Sequence, residues 1–133
     1  MARADPQGVA RELIAGFSAN DMPRMRAVLA DDLHAYITNR EGGVDEVVGA
    51  EGYLARVEAM DLPNANFRVD VTQVVEVQAD LVLVMVETRA ARAGKTLHNH
   101  AAHLLFIADG AVREWWMVEA LPAESDEFWS ATQ

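Results

Sequence analysis

Apolar residues recur at the spacing of a helix in the first part of the chain and at every second position in the later part. A first helix is predicted to begin at about Pro6 and to end near residues 18–20. A second helix is predicted to be capped by Asp21, with Pro23 in its first turn, and to stop at residues 31–32. The apolar faces of the two helices consist of Val9, Leu13, Ile14 and Phe17, and of Met22, Met25, Val28 and Leu29. Both faces are expected to pack on one core.

The next part of the chain is predicted to form a short strand, a glycine-rich turn and a third helix. The strand covers residues 33–38, and the turn contains Gly42 and Gly43. The helix covers about residues 49–60, and the sequence at 62–64, Leu-Pro-Asn, is typical of a helix end.

Four segments with apolar residues at alternate positions follow, and they are predicted to be antiparallel strands. They are residues 67–77, 81–90, 95–108 and 111–120. The tail after them is predicted to hold a short helical turn that docks Phe128 and Trp129. Helices followed by a run of strands predict a single α+β domain over residues 1–133, in which helices cover one face of a curved sheet.

The strands at 81–90 and 95–108 are predicted to pair as a hairpin in which Glu87 faces His100 and Arg89 faces His98. Both faces of this hairpin are largely apolar, so both are expected to be covered. Helices can cover only one of them. A second copy of the chain is therefore expected on the other face, in a symmetric homodimer.

Composition narrows the classes of function. The absence of cysteine excludes disulfides and thiol chemistry. The net charge of −10 repels phosphate backbones and anionic lipid, so neither nucleic acid nor a membrane is an expected partner. The N-terminal sequence lacks the apolar segment of a signal peptide, and the longest apolar run, residues 81–86, is too short to span a bilayer. A soluble, cytoplasmic protein is expected.

The order of elements and three short motifs resemble the SnoaL-like proteins of the nuclear-transport-factor-2-like superfamily. The motifs are Ala30-Asp31-Asp32, Gly49-Ala50-Glu51-Gly52-Tyr53 and Asp109-Gly110-Ala111-Val112-Arg113-Glu114-Trp115-Trp116. The resemblance covers nearly the whole chain. It implies a cone-shaped, curved antiparallel sheet wrapped around the N-terminal helices, which is a cystatin-like half-barrel with an interior pocket. It also implies a homodimer formed through the convex face of the sheet.

The catalytic residues of the best-known members of this superfamily have no match in the chain. The oxyanion-hole tyrosine and the two catalytic aspartates of ketosteroid isomerases fall at Leu13, Ile37 and Ala102, all of which are apolar. The acid/base aspartate of SnoaL-like cyclases falls at Met117. The resemblance therefore implies a fold and a pocket but does not identify the reaction.

The predicted catalytic group consists of His100, His98 and Glu87, which share one face of the hairpin. The resemblance places this face in the pocket. A carboxylate that holds one ring nitrogen of a histidine raises the basicity of the other nitrogen. If the protein is an enzyme, the expected reaction is a proton transfer of the isomerase, cyclase or dehydratase type. His100 is then the base, Glu87 orients it, and His98 or Tyr36 stabilises negative charge. The alternative is a cross-strand ion pair at an open sheet edge.

The pocket is predicted to bind a small, largely apolar molecule. The predicted substrate-binding residues are Tyr36, Tyr53, Phe106, Trp115, Met117 and Glu119. His103, at odd spacing from the other two histidines, is expected to lie at the subunit interface or to be a satisfied histidine beneath it. The alternative function is that of a non-catalytic, dimeric ligand-binding or accessory module, which the missing family aspartates favour.

His98 and His100, with Glu87 or Glu119, also have the residue types of a divalent metal site. A His-x-His pair on a strand is common by chance, so no metal is predicted. No phosphate-binding loop or dinucleotide motif is present, and no cofactor is predicted.

Overall fold

The computed structural model describes residues 5–130 as four α-helices, one short 3-10 helix and six strands. The helices are α1 (Pro6–Ser18), α2 (Met22–Arg26), α3 (Ala50–Met60) and α4 (Pro122–Ser130), and the 3-10 helix is Leu62–Ala65. The strands are β1 (Leu29–Thr38), β2 (Val44–Val48), β3 (Arg68–Gln78), β4 (Leu81–Arg92), β5 (Lys95–Ala108) and β6 (Ala111–Glu119). None of the helices within this part of the chain has the length and apolar character needed to cross a membrane.

The six strands form one curved sheet that does not close into a barrel. Its order is β2-β1-β6-β5-β4-β3. Neighbouring strands are antiparallel except for β1 and β6, which are parallel. Helices cover one face of this sheet, so the α+β fold class predicted from the sequence is confirmed.

The second helix is shorter than predicted, and the first strand is longer. Asp21 caps α2 as expected, since its side chain accepts a hydrogen bond of 3.1 Å from the backbone N–H of Arg24. The helix nevertheless ends at Arg26, and the carbonyl of Val28 then accepts a hydrogen bond of 2.8 Å from the N–H of Val112. Pairing with β6 therefore draws this part of the chain into the sheet instead of a longer helix.

The segment between β1 and α3 contains a strand that the sequence pattern did not predict. Residues 44–48 read Val-Asp-Glu-Val-Val and pair with β1 as the edge strand β2. The charged residues Asp45 and Glu46 interrupt the valines, so the sequence shows no clear alternation of apolar and polar residues. The strand is only partly buried. Gly42 in the preceding turn has a φ of +84°, which favours glycine.

The core lies between the helices and the inner face of the sheet, which is the face that the helices cover. Trp115 is 1% exposed and packs against Tyr53 and Phe17, with ring centroids 4.3 and 6.5 Å away. Burying side chains of this size contributes about 1.5–3 kcal/mol each. The other inner-face residues of the central strands include Ala35, Ile37, Val82, Val84, Val86, Ala101, Leu105 and Val112.

A β-bulge in β6 determines which residues share the inner face. Phe106 is opposite Glu114, but its neighbour Ile107 is opposite Val112, so Arg113 is left out of the register. An extra residue of this kind inverts the alternation of the strand on one side of it. Val112 and Trp115 are consequently both buried on the inner face although they are three residues apart.

Candidate functional site

The residues predicted to be catalytic lie on the outer face of the sheet, which the helices do not cover. Glu87 faces His100, and Arg89 faces His98, as the hairpin register predicted. The buried neighbours of these residues, Asn99 among them, are the ones that point toward the helices. The prediction that His98, His100 and Glu87 line the interior pocket is therefore wrong. The bulge in β6 is the physical reason, because it puts Trp115 on the face opposite to theirs.

The predicted substrate-binding residues are divided between the two faces. Phe106 and Tyr36 lie on the outer face, where Tyr36 stacks on Trp116 with ring centroids 4.2 Å apart. Their placement in the interior pocket is corrected accordingly. Tyr53 is 2% exposed and packs against Trp115 in the core, and this burial raises the pKa of its hydroxyl above the ordinary range. Trp115 and Trp116 face opposite sides, as predicted.

An interior cavity lies between α1, α4 and the inner face of the sheet. The empty space within it is about 480 Å³, including its opening. Met117 and Glu119, which the sequence analysis assigned to a pocket, line it. Its apolar wall includes Ile14, Phe17, Phe67, Val86, Leu97, Ala101 and Trp129. Its polar lining residues are Thr88, Asn99, His103 and Glu119.

A second, more open cavity borders this interior space, and its empty space is about 1020 Å³ including open solvent. The two cavities share Met60, Met117, Glu119 and Trp129. The charged residues of the outer cavity are Arg40, Asp45, Arg56, Asp126 and the shared Glu119. Glu119 therefore lies at the junction of an apolar interior and a polar entrance.

His103 is the interior histidine, and it is 4% exposed. Its Nδ1 accepts a hydrogen bond of 2.9 Å from the indole N–H of Trp115. An imidazole nitrogen that accepts carries no proton, so the proton of the neutral ring is on Nε2. Burial lowers the pKa of His103 to about 4, which keeps the ring neutral at physiological pH. His103 thus supplies a neutral N–H donor to the cavity that it lines.

Asn99 connects the cavity to the end of β6. Its Oδ1 accepts hydrogen bonds from the backbone N–H groups of His100 and Leu121, at 2.9 and 3.0 Å. Its Nδ2 donates to Oε2 of Glu119 at 3.3 Å. Asn99 is 2% exposed, so these bonds satisfy a buried amide and hold the Glu119 carboxylate at the cavity.

Glu119 is a carboxylic acid that lines both cavities. Burial raises the pKa of its carboxyl above the ordinary value, and the negative charge of Asp126 raises it further. The hydroxyl of Ser125 and the cation of Arg56 oppose this shift. A partly buried carboxylate with a raised pKa is a stronger base than an exposed one, so the environment of Glu119 suits proton transfer.

Strand pairing places these groups at fixed positions on the inner face. Glu119 is opposite Ala101, and His103 is two residues further along β5. Diagonal neighbours of this kind have their backbones about 7–8 Å apart. The small residue Ala101 is the direct partner of Glu119, and Ala101, His103 and Glu119 all line the interior cavity.

Of the two alternatives predicted for His103, a place at a subunit interface is wrong, because His103 lies in the interior, where Trp115 donates a hydrogen bond to it. The alternation along β5 already separates His103 and Asn99 from the other two histidines. The bulge in β6 decides which of the two sets shares a face with Trp115, and alternation along β5 does not indicate its position.

On the outer face, three potential ligand groups converge. Nε2 of His98 lies 2.5 Å from Oε2 of Glu87, and the rings of His98 and His100 have centroids 5.4 Å apart. One ligand atom from each of Glu87, His98 and His100 lies within 4.8 Å of the others. The hydrogen bond from His98 lowers the pKa of Glu87. Glu119 is on the opposite face, so the predicted alternative set with Glu119 cannot form.

The comparisons with known proteins decide the family. The model of the SnoaL-like domain matches residues 10–115, which extend from within α1 to Trp115 in β6. The chain belongs to the SnoaL-like domain family. A curated relative, an uncharacterized protein of Mycobacterium tuberculosis (strain H37Rv), is 25% identical over 126 residues, which cover 90% of this chain and 92% of the relative.

Solved structures confirm the fold of this SnoaL-like protein. Bal32a, from a soil-derived mobile gene cassette, matches with a TM-score of 0.83 and 18% identity, over 94% of this chain and 96% of its own. An LEH-like epoxide hydrolase of M. tuberculosis matches with a TM-score of 0.74 and 14% identity, over 90% and 85% of the two chains. An NTF2-like protein of Cytophaga hutchinsonii matches with a TM-score of 0.69 and 15% identity, over 90% and 94%.

Proposed function

We propose that this SnoaL-like protein binds a small, largely apolar carbonyl compound in the interior cavity and transfers a proton on it, with Glu119 as the base. The observation that carries the proposal is the pairing of two groups on one apolar face. One is a carboxylate whose pKa is raised by burial, and the other is a neutral imidazole N–H on His103. Isomerases and cyclases of this superfamily perform reactions of this type, which supports the reaction class but not the choice of residues.

The chemistry requires each group in a particular state. Glu119 removes a proton from the carbon next to the carbonyl, and the electron pair moves onto the carbonyl oxygen to form an enolate. The Nε2–H of His103 donates a hydrogen bond to that developing oxyanion. A neutral imidazole suits this role because it donates its Nε2–H to the oxyanion and does not compete with Glu119 for the proton of the substrate. Glu119 then returns the proton to the same carbon or to another one.

Asn99 acts as a positioning residue in this proposal. Its amide donates to Oε2 of Glu119, while its own carbonyl oxygen is fixed by two backbone N–H groups. The carboxylate is consequently held at the junction of the two cavities. Replacement of Asn99 by Ala would free this carboxylate and leave two backbone donors unpaired.

Deuterium exchange tests the proposal without knowledge of the natural substrate. The protein is incubated in D2O with 2-tetralone and other apolar ketones of one to three rings, and α-deuterium incorporation is followed by mass spectrometry. Exchange is expected to be faster than in buffer and to increase with pH through the raised pKa of Glu119. Glu119→Gln is expected to lower the enzymatic rate by a factor of about 10²–10⁴.

His100→Ala is the matched control, since it changes an ionisable residue of the outer face. Its exchange rate is expected to equal that of the unmodified protein. Equal rates in the unmodified protein and Glu119→Gln would refute Glu119 as the base. A rate lost only in His100→Ala would restore the catalytic assignment that the sequence suggested.

A ligand-binding module without turnover is the second candidate. One observation favours it: Glu119 is the only acidic residue among the described residues that line the interior cavity. Under this function 2-tetralone quenches the fluorescence of the protein, because Trp129 lines the cavity, but no deuterium is incorporated.

We also propose that the protein is a homodimer formed through the outer face of the sheet. Support comes from the apolar residues at the centre of this face, which are only partly buried within one chain. We call this set the outer apolar patch, and it consists of Tyr36, Leu83, Met85, Ala102, Leu104, Phe106 and Trp116. Apolar patches of this kind are typical of interaction surfaces.

A further inference from the structure

We propose that Glu87, His98 and His100 bind one divalent transition-metal ion, such as Zn²⁺ or Ni²⁺, on the outer face of the sheet. The site is separate from the interior cavity, because alternation along β4 and β5 directs these three side chains away from the helices. The proposal does not depend on the proposed function.

Strand pairing holds the three residues together. Glu87 is directly opposite His100, and His98 lies two residues from His100 on the same strand and the same face. Each residue offers one ligand atom, and these atoms lie within 4.8 Å of one another. The strongest contact is between Nε2 of His98 and Oε2 of Glu87, at 2.5 Å. The backbone of a central hairpin thus supplies the arrangement before any ion binds.

The distances are close to those of a metal site. Ligand atoms at about 2.0–2.1 Å from a tetrahedral zinc ion lie about 3.3 Å from one another. The observed limit of 4.8 Å exceeds this value by an amount that side-chain rotation can close. His98 is 51% exposed in its side chain, so its ring is free to rotate.

The chemistry of the donor set indicates the kind of ion. Two imidazoles and one carboxylate favour a borderline transition-metal ion over Mg²⁺ or Ca²⁺, which prefer oxygen ligands alone. The chain has a net charge of −10, which attracts cations in general. Arg89, whose guanidinium lies 2.8 Å from Glu87, offsets part of this attraction at the site. A micromolar rather than a nanomolar affinity is therefore expected.

The outer face contains a natural control. His34 on β1 lies 3.2 Å from Glu46 on β2, so it is also an exposed histidine paired with a carboxylate. No second histidine joins this pair within the part of the chain that the structure describes. His34→Ala therefore reports what a single exposed imidazole contributes.

Calorimetric titration of the metal-free, full-length protein with ZnCl₂ tests the proposal. One ion per chain is expected, with a Kd in the micromolar range. His98→Ala and His100→Ala are each expected to weaken binding by at least about tenfold, since each removes one of three ligands. His34→Ala is expected to leave the Kd unchanged. Zn²⁺ is also expected to raise the Tm of the unmodified protein but not that of His98→Ala.

The proposal is overturned if no binding is detected, or if His98→Ala and His100→Ala bind Zn²⁺ as the unmodified protein does. It is equally overturned if His34→Ala weakens binding as much as they do, because the ion would then be held by exposed imidazoles in general. None of these results bears on deuterium exchange at Glu119, so the two proposals fail separately.

Discussion

At the scale of single residues, the environment of His103 determines what it can do. The indole of Trp115 occupies Nδ1, and burial lowers the pKa of the ring to about 4. The same histidine on the outer face would be an ordinary proton acceptor. In the interior it is a neutral hydrogen-bond donor, and Glu119 is the proposed base.

The lowered pKa of His103 makes the stability of the protein depend on pH. The unfolded chain binds a proton at this position below about pH 6.5, whereas the folded chain does so only below about pH 4. The contribution of the neutral His103 to the free energy of unfolding is intact above pH 6.5 and is lost as the pH falls toward 4. A shift of this size corresponds to about 3 kcal/mol in the free energy of unfolding.

Urea denaturation of the protein and of His103→Gln at pH 7 and pH 4 checks this prediction. Glutamine can accept the hydrogen bond of Trp115 without titrating. The unmodified protein is expected to lose about 3 kcal/mol more than the variant between the two pH values. Parallel losses would show that His103 is protonated as easily in the folded protein as in the unfolded chain.

At the scale of elements, the helix starts differ in how their backbone N–H groups are satisfied. Asp21 caps α2 with its side chain, but Asp5 at the start of α1 makes no side-chain capping bond. Asp21→Ala is therefore expected to lower the free energy of unfolding by about 1 kcal/mol, and Asp5→Ala by clearly less. Urea denaturation of both variants at pH 7 measures the difference. Similar losses would show that the capping bond of Asp21 contributes nothing.

The same elements show why the sequence predicted some features and missed others. The hairpin register of β4 and β5 was predicted correctly, because alternation and the turn at Gly94 define it locally. The length of α2 was not predicted correctly, because Val28 pairs with Val112, which is far away in the sequence, and does not continue the helix. Strand β2 was missed because its sequence, Val-Asp-Glu-Val-Val, shows no alternation of apolar and polar residues.

The prediction of the candidate site depended on one such non-local feature, the bulge in β6. Sequence alternation separated His98 and His100 from His103 correctly. The resemblance to SnoaL-like proteins placed Met117 and Glu119 in a pocket, and both line the interior cavity. Alternation could not locate the bulge that leaves Arg113 out of the β5–β6 register. A single extra residue there exchanges the faces. The predicted chemistry was consequently assigned to the exposed His98 and His100, whereas His103 and Glu119 line the cavity.

At the scale of the whole molecule, the two faces of the sheet have different expected roles. The inner face forms the cavity, and the outer face carries the outer apolar patch. Leu104 lies in this patch and is opposite Trp116. Sedimentation velocity is expected to show a dimer, and Leu104→Glu is expected to sediment as a monomer, because it places a charge in the interface.

Leu121→Glu is the control for this experiment, since Leu121 is an exposed leucine that follows β6 and is not part of the outer apolar patch. It is expected to remain a dimer. The proposed interface would be refuted if the unmodified protein sediments as a monomer at every concentration. It would also be refuted if Leu104→Glu remains a dimer.

The central claim is that a small, largely apolar molecule binds on the face of His103 and not on the face of His98 and His100. Imidazole ¹⁵N NMR of the unmodified protein, titrated with 2-tetralone, tests this claim most directly. Before titration, His103 is expected to show an unprotonated Nδ1 and a protonated Nε2. On titration its Nε2 signal is expected to shift, while the signals of His98 and His100 stay in place. Shifts at His98 and His100 with an unchanged His103 would contradict the account.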